Sequence, residues 1–106
     1  MMLVGAAVFL FAAVELGRAM FFMQGVGAFV ATLDEKPPAE VKRELRRYAG
    51  SLADWNPLVR KAAVAALKAG TRWNLGADPA EWSRWWHEHE ATWEFKPAKK
   101  PAPATP

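Results

Sequence analysis

The side chains best equipped for chemistry lie near the C-terminal end, in the run His87-Glu88-His89-Glu90. Alternating imidazoles and carboxylates suggest a metal site. On a helix, however, residues two apart point ~200° apart around the axis and cannot share one ion. The productive helical spacing is i,i+4, as in H-E-x-x-H. Four residues before His87 stands Ser83, and four after it stands Ala91. The chain has no Cys, which excludes a disulfide framework, a thiolate zinc site and a Cys nucleophile. It shows no Ser/His/Asp arrangement, no Gly-rich phosphate loop and no isolated carboxylate pair. The expectation is a non-catalytic protein with no catalytic residue, no metal ligand and no cofactor.

Two other groups of residues point to contact rather than reaction. Glu15 and Arg18 interrupt an apolar N-terminal stretch. At i,i+3 they share a helix face and can pair with each other. Either the pair neutralises itself, or it faces a neighbouring subunit and fixes register against it. Ala13 and Gly17 form a small-xxx-small step beside it, which allows close approach of a second backbone. The other group is Trp82, Trp85, Trp86, His89 and Trp93, whose spacing of i, i+3, i+4, i+7, i+11 draws one aromatic stripe along a helix. Stacking on bases would need a strongly basic groove. Only Arg84 stands there, against Glu81, Glu88 and Glu90. With a net charge of only +3 over the chain, nucleic acid is not expected as a partner. The stripe can instead lie at a membrane surface, pack on neighbouring helices, or meet a partner, where Trp is a frequent source of binding energy. The residues expected to bind a partner are therefore Ala13, Glu15, Gly17, Arg18, Trp82, Trp85, Trp86 and Trp93.

The elements that carry these residues follow from the distribution of charge. Residues 1–33 hold two charged side chains, and residues 34–106 hold the other 23. Met2–Val14 is an unbroken apolar run, and Ala19–Leu33 is a second, interrupted only by Gln24 and Thr32. Three readings compete: a signal peptide, a buried core helix and a transmembrane anchor. A signal peptide wants a basic leader, whereas no Lys or Arg precedes the first run and Arg18 lies inside the apolar stretch. A core helix needs more polar protein around it than the remaining residues readily provide. The anchor is the expectation. One helix of this length would be ~48 Å against ~30 Å of hydrocarbon. It must then protrude, tilt, or break near Gly25 and Gly27. Lys36, Lys42, Arg43, Arg46 and Arg47 follow it, which places the C-terminal part on the cytoplasmic side of the inner membrane under the positive-inside rule.

Beyond the anchor, Pro37-Pro38 forces a new start. Val41, Leu45 and Tyr48 recur at i, i+4, i+7 and predict a helix over 39–49, with Gly50 as its stop. The opposite face, with Lys42, Arg43, Arg46 and Arg47 among Glu40 and Glu44, is either solvated or turned to anionic headgroups. Asn56-Pro57 predicts the cap and first residue of a second helix that ends at Gly70. The stretch Leu52-Ala-Asp54-Trp-Asn-Pro57-Leu-Val59-Arg60-Lys-Ala62-Ala63-Val-Ala-Ala66-Leu67 resembles the second half of a HEAT-type helical repeat. The resemblance implies two antiparallel helices over residues 39–69, with Asp54 and Arg60 as the polar pair tying the turn to the second helix. It covers a single repeat rather than an array.

Asp78-Pro79 predicts the start of a third helix, with Glu81 at the capping-box position. The run Leu75–Trp86 is similar to segments that close HEAT-like arrays, which implies a terminal capping helix. KPAKKPAPATP at 96–106 reads as an extended tail. The expected architecture is all-α: a transmembrane helix at 1–33, a small three-helix HEAT-like module at 34–95, and a Pro/Ala/Lys tail at 96–106. One repeat plus a cap cannot cover its own apolar faces. The expected function is therefore that of an accessory or scaffold subunit of a larger membrane complex, of the bacterial energy-converting or photosynthetic kind. Its partners would be integral membrane subunits and the lipid bilayer. The alternative is a membrane-tethered adaptor that recruits a soluble cytoplasmic protein through the helix pair.

Overall fold

The computed structural model describes the backbone of residues 2–96 and the side chains of residues 10–96. Of the tail expected at 96–106, all but Lys96 lies outside the described residues. Four α-helices follow one another: α1 (Met2–Ala31), α2 (Pro38–Ser51), α3 (Pro57–Thr71) and α4 (Pro79–His89), with a short 3-10 turn at Leu33–Glu35 between α1 and α2.

Local signals explain most boundaries. α1 runs through Gly17, Gly25 and Gly27 without a break. It ends where the Thr32 hydroxyl donates back to the Ala28 carbonyl at 2.8 Å. Lys36 then turns extended before Pro37, as the residue preceding a proline prefers. Pro38 occupies the first turn of α2, where its missing N–H is no loss. In α3 the Asn56 side-chain oxygen accepts from the Leu58 N–H at 2.9 Å, with Pro57 in the first position. Asp78 caps α4 in the same way, accepting from Ala80 N–H at 3.0 Å.

Three boundaries differ from expectation. α2 runs through Gly50 to Ser51, with Leu52 as its cap. α3 passes through Gly70 and ends at Arg72, which takes the left-handed conformation at φ 64° and donates its N–H to the Lys68 carbonyl. Gly70 serves packing instead of termination: a Cβ there would stand 2.7 Å from Leu45 Cδ2 on α2. α4 stops at His89 with Glu90 as its cap, so Trp93 is not on the helix. The peptide N–H groups of Thr92 and Trp93 both donate to the His89 carbonyl, which turns the chain there.

α3 lies at the centre and packs against α1, α2 and α4. Val41, Leu45 and Tyr48 of α2 are buried as their stripe predicts, in one cluster with Ala63, Ala66 and Leu67 of α3. Trp82 and Trp86 close the cluster from α4, and Phe95 does so from the segment after it. Val26, Phe29 and Leu33 belong to the same cluster. The Tyr48 ring receives Phe22 edge-on at 5.6 Å and Phe29 at 5.1 Å between centroids. The C-terminal half of α1 is thus a core element, and each large side chain it buries contributes about 1.5–3 kcal/mol.

This arrangement corrects the membrane reading. Among the described residues no helix is long and apolar enough to cross a membrane. The transmembrane anchor over residues 1–33, its single-pass placement in the inner membrane and its cytoplasmic orientation all fall with that finding. The physical reason lies at mid-helix. Glu15, Arg18 and Gln24 interrupt the apolar run, and Arg18 is engaged by Asp54 of the α2–α3 turn as well as by Glu15. The core-helix alternative accounts for Ala19, Val26 and Phe29, all of which are buried.

Candidate functional site

The Glu15–Arg18 step is the meeting point of α1 and the turn between α2 and α3. Arg18 Nε donates to Glu15 Oε2 at 2.8 Å. Its two terminal nitrogens grip Asp54 as a fork, Nη1 to Oδ2 at 3.0 Å and Nη2 to Oδ1 at 2.8 Å. A guanidinium is shaped for this two-point grasp of a carboxylate. Asp54 Oδ1 also accepts from the Asn56 backbone N–H at 2.8 Å. Asn56 works twice, since its Nδ2 donates to the Glu15 carbonyl at 3.2 Å while its oxygen caps α3. Beside these groups, Phe11 stacks on Trp55 with centroids 5.3 Å apart and planes 13° from parallel.

The electrostatics follow from these bonds. Hydrogen bonds from Arg18 hold the Asp54 carboxyl below the ordinary range, helped by the Asn56 N–H. Arg18 is raised in turn, first by Asp54 and then by Glu15. A carboxylate held ionised in this way neither donates nor carries a proton near neutrality, so the group acts as a clamp. The pair expected from the HEAT resemblance takes a different form. Arg60 Nη1 does reach Asp54, but through its backbone carbonyl at 2.7 Å. The Asp54 carboxylate goes to α1. Glu15 and Arg18 do pair with each other, the first of the two readings, and Arg18 in addition reaches Asp54, 36 residues away in the same chain.

Engaging both charges leaves the opposite side of α1 without any. Ala13 and Gly17 lie exposed there, and around the Gly17 Cα there is open space where a side chain would project. Leu10, Val14, Met20 and Phe21 surround them at 52–79% exposure. The apolar strip continues into a groove between α1 and α3 of about 390 Å³, lined by Met23, Val26, Gly27, Leu58, Ala62 and Ala65 with Lys61 at its edge.

The tryptophans are divided between interior and surface. Trp82 is fully buried, and its Nε1–H donates to the Gly76 carbonyl at 3.0 Å. Gly76, at φ 92°, takes a backbone conformation that side chains disfavour. Trp86 is also buried and leans on Trp93 at 5.8 Å. Trp82 and Trp86 therefore belong to the core and are not available to a partner. Trp85 and Trp93 are half-buried. Trp85 touches Trp73 at 6.5 Å and stacks against the His89 ring at 4.7 Å. His89 Nδ1 lies 2.8 Å from the Trp85 carbonyl. Among the described residues no group of three or more His, Asp or Glu side chains could hold a metal ion.

Sequence reasoning did not single out Phe11, Trp55, Asn56 as a bond to α1, or Phe95. No local signal links Phe11 to Trp55 or Arg18 to Asp54. An exposed-looking aromatic in a turn, Trp55, was the one available hint.

No protein family, no curated protein and no solved structure matches this chain. What it does must be argued from the surface itself.

Proposed function

We propose that this chain is a non-catalytic docking subunit, a small helical body that presents one face of a long helix to a larger protein assembly. The observation that carries the reading is the outer face of α1. Apart from Phe11, which stacks on Trp55, seven large apolar side chains of that helix, from Leu10 to Val30, stand 40–79% exposed. Monomeric proteins seldom leave contiguous apolar surface beyond a few hundred Å² uncovered. The two charges that could have solvated this face are turned away from it, Arg18 to Asp54 and Glu15 to Arg18. The likeness of Leu52–Leu67 to half a HEAT-type repeat supports the reading, because such helices stack on neighbours to cover themselves.

The test is crosslinking at native expression, with a photoreactive residue at Phe21. Adducts confined to defined protein partners at that position, and absent when the probe is moved to exposed Arg43 on α2, support docking. A chain recovered alone, monomeric and well dispersed in plain buffer with Phe21 uncrosslinked, removes the reading.

A further inference from the structure

We infer that the partner seated on the outer face of α1 is a protein segment that is apolar along its middle and carries Asp or Glu along both edges. The inference rests on the docking reading above and names the chemistry of the occupant. What carries it is the position of two cations. α1 turns neither of its own charges to its outer side, but the helices that flank it supply one each. On the α2 side, Phe21 and Gly25 border a groove of about 280 Å³ that Arg47 and Tyr48 also line. On the α3 side, Met23 and Gly27 border the larger groove that holds Lys61. Each groove thus combines a glycine of α1 with a cation of the next helix. Around both glycines there is open space where a side chain would project, which leaves room for an incoming side chain to reach the cation.

Neither cation is neutralised from within the chain. Arg47 and Lys61 are exposed and enter no salt bridge among the described residues. No carboxylate lines either groove. α3 contains no Asp or Glu, and the one acid of α1, Glu15, is held by Arg18. Arg18 also lines the first groove, but Glu15 and Asp54 already engage it. A wholly apolar partner would strip water from Arg47 and Lys61 and give nothing in return, which is costly. A partner with carboxylates at those two points avoids that cost.

Where helices pair, the charges beside the apolar seam choose the partner. Here α2 and α3 provide those flanks, with the same sign on both sides. A second copy of this chain would set cations against cations whichever way it crossed, which is a bar to self-pairing. An anionic bilayer is read by denser clusters, of ~4–8 basic residues, whereas Arg47 and Lys61 are the two unneutralised cations of these grooves. An acid-edged protein segment fits both the apolar strip and its flanks.

The test uses the full chain at native expression with the photoreactive residue at Phe21, followed by a carbodiimide, which joins an amine to a carboxylate in contact with it. Mass spectrometry of the adduct should show Lys61 linked to an Asp or Glu of the same protein that position 21 captures. Arg47→Lys should add a second link to that protein at residue 47. Arg47→Glu combined with Lys61→Glu should lower the yield of the position-21 adduct about tenfold or more. Both side chains are exposed, so circular dichroism should not change. An adduct whose partner takes no link at Lys61, or whose yield survives the double reversal, overturns the inference and leaves the docking reading standing. An adduct with a second copy of the chain also overturns it. Adducts with phospholipid alone, or no adduct at all, overturn both readings.

Discussion

Phe21 and Phe29 sit on the same helix, two turns apart, and experience different surroundings. Phe29 is 2% exposed against Tyr48, whereas Phe21 is 79% exposed. The difference shows that α1 has two functions that its nearly uniform apolar sequence conceals. One face completes the core that α2, α3 and α4 leave open. The other contributes nothing to that core. A helix of such composition would ordinarily be read as buried all round. Here the distinction between faces is made by three polar side chains, Arg18, Asp54 and Asn56, which hold one side of α1 against the α2–α3 turn.

The sharpest way to break the comparison is to truncate the inward residues. Phe29→Ala should cost about 3–5 kcal/mol of unfolding free energy, as should Trp82→Ala at the far side of the core. Urea denaturation followed by Trp fluorescence reads the first change directly. Circular dichroism suits the second, because it removes a reporter. A loss below about 1 kcal/mol at Phe29 would mean that α1 is not part of the folded core. The next largest effect belongs to Asn56→Ala, which removes the cap of α3 and the bond to the Glu15 carbonyl. A cap alone is worth about 1 kcal/mol, and a deficit no greater than that would show that the link to α1 adds nothing.

A smaller effect tests the clamp through pH. The folded-state pKa of Asp54 is depressed. Its contribution to stability is therefore complete above the unfolded carboxylate value of ~3.9 and disappears as pH falls through the lower folded value. Asp54→Asn should be less stable than the parent at pH 7, and the gap should close as the solution is acidified below ~4. A gap that stays constant to pH 2 would exclude the carboxylate as its source. The smallest expected change is Phe21→Ala, within about ±0.5 kcal/mol for an exposed side chain. Should it match Phe29→Ala, the two faces are not distinct.

Much of this arrangement was legible in the sequence wherever the determinant was local. Asn56-Pro57 and Asp78-Pro79 announce the starts of α3 and α4 because a cap and a fixed φ act within one turn. Val41, Leu45 and Tyr48 announce the buried side of α2 through spacing alone. Trp82 and Trp86 were legible as a stripe but not as interior, since periodicity gives a face without saying what lies against it. Gly70 was misread as a stop because its reason for being glycine, the Leu45 side chain, comes from another helix. The largest error concerned residues 1–33. An apolar helix meant for lipid and one meant for protein have nearly the same composition, and the discriminating fact, the reach of Arg18 to Asp54, spans the fold. The clamp itself could not be located from either of its ends.

The close approach of Gly70 to Leu45 sets the spacing of everything stacked beyond it. A side chain at that position would drive the end of the buried Leu45 side chain out of its place in the core. One turn along α2 stands Tyr48, the seat on which Phe22 and Phe29 rest. A single methyl group at residue 70 would thus be felt one layer further out, as a change in how firmly the long helix is held in place.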